Sequence, residues 1–194
     1  MQTEPIATPI DVLDFWFGTE PHARVARPEW FRKSADFDAE IRRRFGVTHD
    51  TARAGGLITW ESALRDRLAL IVVLDQFSRN LHRDSPLAFA CDARALALAR
   101  QTVDERDDLR LSPLERSFVY LPFEHAEDGA AQETSLRLFA LLEAFPETAG
   151  TLEWARRHAL IIERFGRFPH RNVALGRTST PEEMAFLTEP GSRF

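Results

Sequence analysis

The chain has 194 residues, 44% of them hydrophobic and 28% charged, which suits one sizeable core and excludes a disordered chain. Its formal charge of −5 argues against nucleic acid as the main partner, since phosphate binding needs a dominant basic surface. A single cysteine, Cys91, excludes an internal disulfide and a thiolate zinc site, and no apolar run reaches the ~18 residues of a membrane span.

The N-terminal stretch lacks a basic region followed by an apolar one, so the expectation is a cytoplasmic protein. Four segments open with Ser or Thr followed by proline: Thr8-Pro9, Ser85-Pro86, Ser112-Pro113 and Thr180-Pro181. Such a hydroxyl caps free backbone N–H groups, and proline suits the first helical position. Glu115 and Glu183 complete capping boxes with Ser112 and Thr180. Helices are predicted near 8–17, 34–54, 60–81, 86–102, 113–127, 130–145, 148–168 and 181–188. In the second, Phe37, Ile41, Phe45, Thr48 and Ala52 keep helical spacing across Gly46, where the helix either runs on or breaks. No segment alternates with a period of two, so the fold is read as all-α, about eight helices stacked as antiparallel hairpins. One domain is expected over 1–194, with less order at the termini and over 18–29 and a charged connector at 103–110.

Three segments place polar groups inside apolar runs. In LIVVLDQFSRN (70–80), Leu68 and Val72 share a side with Asp75 and Arg79, while Leu70, Leu74, Phe77 and Leu81 lie opposite. That pattern marks an inner helix with a buried Asp75–Arg79 stripe flanked by Gln76 and Asn80. In YLPFEHAED (120–128), Pro122 removes the amide that would bond the Phe118 carbonyl, so a kink or stop is expected. Glu124, His125 and Asp128 follow it, a carboxylate–histidine group suited to acid–base chemistry but too small for a metal site. In HALIIERFGRFPHRN (158–172), Trp154, His158, Ile161, Ile162 and Phe165 share one face, with His158 read as a hydrogen-bonded core histidine. Arg164 and Arg167 answer the helix dipole, and Glu163 with Arg167 has the spacing of an i,i+4 pair. His170, Arg171 and Asn172 lie beyond the helix in a turn where arginine could grip a carboxylate or phosphate.

These segments, with DVLDFWF (11–17), WFRKSADFDAEIRRRF (30–45) and LGRTSTPEE (175–183), resemble a bacterial family known as domain-of-unknown-function family 924. The match runs in order over nearly the whole chain, and DQFxRN, LPFEHAED and RFGRFPHRN are its most specific strings. A small departure is Ser78, where the family pattern allows proline. The resemblance implies an all-helical, tetratricopeptide-like right-handed superhelix, and it carries over no activity.

The leading expectation is a helical protein that binds an acidic small molecule or acidic peptide in a polar cleft. Its candidate ligand-binding residues are Asp75, Gln76, Arg79, Asn80, Glu124, His125, Asp128, Arg164, Arg167, His170, Arg171 and Asn172. At least two of the three clusters are expected to meet. No cofactor, metal, nucleic acid or membrane partner is expected. One rival is a hydrolase-type enzyme using His125 or His170 with nearby carboxylates, although GxSxG, P-loop and dinucleotide motifs are absent. The other is a protein-recognition module whose polar clusters only tie helices together.

Overall fold

The computed structural model describes residues 5–19 and 26–192. Residues 1–4, 20–25, 193 and 194 carry much of the expectation of lower order, and they lie outside the described residues. Helix α1 (Pro9–Phe17) starts from Thr8, whose side chain accepts from the Asp11 amide. Helix α2 (Ala35–Arg53) starts from the Ser34 cap and runs unbroken through Gly46. Helix α3 (Leu64–Ile71), a π-helical segment (Val72–Phe77) and α4 (Ser78–Leu81) continue into one another through right-handed helical junctions. Then follow α5 (Asp92–Asp104), α6 (Pro113–Glu124), α7 (Gly129–Ala140), α8 (Thr151–Phe165) and α9 (Pro181–Phe186). With the α3–π–α4 rod taken as one, these are eight helices, and no strand occurs among the described residues.

Six predicted boundaries shift by three residues or more: α3 begins at Leu64 and not at 60, α7 ends at Ala140 and not at 145, α8 begins at Thr151 and not at 148, and three others shift for local reasons. Ser85-Pro86 starts only a short 3-10 turn, Pro86–Ala88, and α5 begins at Asp92. A continuous helix would give the Ala88 carbonyl to the Asp92 amide; the Arg79 guanidinium takes it instead, at 3.2 Å. Helix α8 was expected to reach 168 but stops at Gly166, whose φ of +67° suits a glycine C-cap. Helix α6 passes Pro122 and ends two residues later, short of the expected 127. The predicted connector at 103–110 is more than a solvated run, because Asp108 is buried within it.

The rod is the inner helix that its two-sided apolar pattern predicts: every residue from Leu68 to Leu74 is buried. It packs against α1, α2, α5 and α6, and α5 to α8 pack on one another in sequence. Trp16 and Phe118 anchor the aromatic part of the core, with Trp16–Phe77 at 5.5 Å and Trp30–Phe118 at 4.8 Å between ring centres. A smaller cluster of Ile161, Ile162 and Phe168 packs with Phe165 and Phe186. Trp154, expected on the apolar face of α8, is half exposed.

Tyr120 ties the buried connector to α6. Its hydroxyl donates to Asp108 at 2.6 Å and accepts from Arg116 Nε at 3.0 Å. Burial, then the Asp108 hydrogen bond, push the phenol pKa upward, so the hydroxyl stays protonated and keeps donating. Tyr120→Phe is expected to cost about 1–3 kcal/mol, because it strands a buried carboxylate. Urea unfolding of the two proteins measures this directly, and equal midpoints would refute it.

Candidate functional site

The three polar segments converge, as expected for at least two of them. The π-helical turn carries Asp75 into the interior with 1% of its surface exposed. His125, just past the end of α6, brings Nδ1 to 2.8 Å from Asp75 Oδ1. Gln76 donates to the other carboxylate oxygen at 2.6 Å. Burial works to raise the Asp75 pKa, but the Arg79 guanidinium and the hydrogen bonds from His125 and Gln76 overcome it. The carboxyl is thus held well below the usual range. An ionised Asp75 can only accept, so His125 Nδ1 carries the proton and Nε2 presents its lone pair. Burial, with the nearby Arg79 and Arg171 charges, lowers the His125 pKa against the pull of Asp75.

Arg79 lies 3.5 Å from Asp75 and grips Asp92 through both terminal nitrogens, at 3.0 and 3.1 Å. Arg171, on the Pro169–Arg171 turn after α8, reaches the same Asp92 carboxylate at 3.3 Å. Its guanidinium carbon lies over the rings of Phe89 and Phe168, 4.7 and 4.5 Å from their centres. Burial first, and then the Arg79 charge, bring its pKa down to about 10, which leaves it cationic at neutral pH. Arg171 Nε is buried and makes no hydrogen bond among the described residues.

Glu124 is buried within reach of the Asp75 charge. Its carboxyl is 3.0 Å from His158 Nδ1, and the same nitrogen lies 2.9 Å from the Trp154 carbonyl. Burial, helped by the Asp75 charge, raises the Glu124 pKa to about 8, so the carboxyl is protonated at neutral pH. Burial lowers His158 to about 3, in agreement with its reading as a neutral core histidine. His170 stands beside the cluster, 5.7 Å from the Phe168 ring, with its pKa also pushed down to about 3 by burial and the Arg171 charge.

Five of the predicted residues go elsewhere. Asn80 donates to Asp38 on α2 at 2.8 Å. Asp128 caps α7 through the Ala130 amide and lies 3.6 Å from Arg100, so it does not pair with His125. Arg164 pairs with Glu182. Arg167 ignores Glu163 and binds Glu183 with two bonds, at 2.6 and 2.8 Å. Asn172 is fully buried and donates to Ser179 and Glu183. These last contacts form a clamp that holds the Arg171 turn. Arg177 completes it by gripping Glu127 at 2.6 and 2.9 Å, and Glu127 accepts from the Phe168 amide at 2.7 Å.

Sequence reasoning missed Asp92, Phe89, Arg177 and the second role of Glu183. Asp92 gave one usable signal, an acidic residue in the first turn of its helix, where the dipole favours it. Glu183 was recognised as the capping-box partner of Thr180, and it is; the same carboxylate also receives Arg167. Among the described residues, no helix is long and apolar enough to cross a membrane.

Fold and site together define an all-helical protein with a polar cluster assembled from three distant segments. The family model described as "Bacterial protein of unknown function (DUF924)" matches residues 12–191, and the chain belongs to that family. The chain is similar to a solved structure of a protein of unknown function from Agrobacterium tumefaciens. That likeness has 39% identity and a TM-score of 0.82, covering 94% of this chain and 97% of that one. No curated protein matches significantly.

Proposed function

We propose that this protein binds a small carboxylate- or phosphate-bearing molecule where Arg79, Arg171 and His125 meet. One observation carries the reading: two guanidiniums from distant segments converge on one carboxylate, and Arg171 Nε keeps an unused donor in a buried setting. A network that only ties helices together gains nothing from an unpaired buried N–H, which costs about 1–3 kcal/mol. Contact with the Phe89 and Phe168 rings restrains the guanidinium, so less entropy is lost when it grips an anion. Asp92 fills the place that a ligand carboxylate would share or take over.

The Asp75–His125 pair favours a second step, proton transfer to or from the bound molecule. Its buried carboxylate sets the tautomer, and its outer nitrogen is a base that stays neutral at pH 7. We further infer one domain and a cytoplasmic setting for this binder.

Titration with inorganic phosphate and with succinate, followed by the imidazole NMR signals, tests the site. His125 signals are expected to shift saturably, with affinity falling as salt rises and at least ~10-fold in Arg171→Gln. Arg79→Lys, which keeps the charge and loses the two-pronged grip, should weaken binding by less. No saturable shift in wild type, or equal affinity in Arg171→Gln, would overturn the reading.

A further inference from the structure

A second group of chemistry-bearing side chains lies where α2 meets the end of the central rod. His49 and Asp50 are neighbours near the end of α2, and His82 is the residue that ends α4. One ligand-type atom from each lies within 4.8 Å of the other two. The imidazole rings are 5.1 Å apart, and His49 Nδ1 is 3.9 Å from an Asp50 carboxylate oxygen.

The protonation of His49 follows from its neighbours. Its Nε2 is 2.8 Å from Ser78 Oγ, which in turn lies 2.6 Å from the Leu74 carbonyl oxygen. Two oxygens that close need a proton between them, and a carbonyl has none, so the Ser78 hydroxyl donates to Leu74. Ser78 can then only accept from His49, which places the ring proton on Nε2. The lone pair is therefore on Nδ1, the ring nitrogen that lies 3.9 Å from Asp50. His49 is fully buried, yet Nδ1 has no hydrogen-bond partner among the described residues, and neither has the buried Nε2 of His82. A buried imidazole nitrogen normally finds a donor or acceptor, and two without one in a single three-residue cluster call for a common partner.

We propose that His49, His82 and Asp50 form a binding site for a divalent first-row transition-metal ion of the zinc type. Two imidazoles and one carboxylate suit zinc, nickel or copper, and leave a fourth position for water or a small ligand. Magnesium and calcium prefer oxygen alone. The Ser78 hydroxyl supplies the outer hydrogen bond that orients a metal-binding histidine. With bonds of ~2.1 Å, a tetrahedral ion holds its donors roughly 3.4 Å apart. His82, at a helix end, and the exposed Asp50 thus close in by roughly 1 Å on the fixed His49 ring. Asp50 leaves only an exposed contact with Arg53 at 3.5 Å, a pair worth little.

Zinc alone, titrated calorimetrically into the full chain at pH 7, is expected to bind at one ion per chain. His82→Ala should weaken that binding at least ~10-fold while unfolding as the wild type does, and Asp50→Asn should weaken it by a smaller factor. His49→Ala empties a buried position and disturbs folding, so the two outer residues carry the test. Cobalt in place of zinc is expected to show the visible absorption of a tetrahedral site in wild type and to lose it in His82→Ala. No zinc binding by wild type, or equal affinity in both variants, would overturn the proposal.

Discussion

Asp75→Ala is expected to lower stability by about 3–5 kcal/mol, because it leaves the partners of a buried charge without it. Asp75 is 1% exposed and accepts from His125 and Gln76, with Arg79 at 3.5 Å. Without it, Arg79 keeps Asp92, but the buried site gains uncompensated positive charge from Arg79 and Arg171 around a single carboxylate. Asp75→Asn keeps the shape and an acceptor oxygen, so it should cost clearly less than alanine. Urea unfolding of the three proteins at pH 7 separates these cases. A loss under about 1 kcal/mol in alanine would show a solvated pair instead of a buried one.

Stability is expected to peak between about pH 6.5 and 7 and to fall on both sides for different reasons. On the acid side, His49 sits at about 4 in the folded chain, with His158 and His170 at about 3, all below the unfolded value of 6.5. Below pH 6.5 the unfolded chain binds more protons at these groups, so acid destabilises. Glu124 has the opposite sign. Its pKa rises from 4.5 unfolded to about 8 folded. Between those values the folded chain holds the extra proton, and stability is lost as pH rises toward 8. From pH 6.5 to 8 that loss is on the order of 2 kcal/mol. Glu124→Gln removes the titration with little change of shape, so it should flatten the alkaline limb and steepen the acid limb between about pH 4.5 and 6.5, leaving the limb unchanged only below 4.5. Parallel curves for the two proteins would mean that Glu124 is already ionised at neutral pH.

The site was partly legible because some of its constraints are periodic. Asp75 and Arg79 continue a buried stripe that begins at Leu68 and Val72, and that spacing pointed to the interior. The partners chosen there were not legible. Arg167 had Glu163 at favourable helical spacing, yet an exposed pair of that kind is worth only about 0.3–0.5 kcal/mol. Glu183, 2% exposed, offers a two-pronged grip in a drier setting, and it wins. The same reasoning separates Asp128 from His125: a free α7 amide nearby makes it a cap.

The sequence by itself determined the all-helical class, the helix starts at Pro9, Pro113 and Pro181, and the inner position of the helix read over 60–81, which begins at Leu64. Those features depend on groups within three or four residues of one another, such as Ser112 with Glu115, and on a hydrophobic period that needs no knowledge of the partner. Only the tertiary structure decided that α5 begins at Asp92, that residues 72–77 widen into a π-helix, and that His125 reaches Asp75. It also decided that Arg171 shares a carboxylate with Arg79 and that His49 faces His82. Each of those contacts joins side chains far apart in the chain, and a long polar side chain pairs with whichever group packing brings within about 3 Å of it.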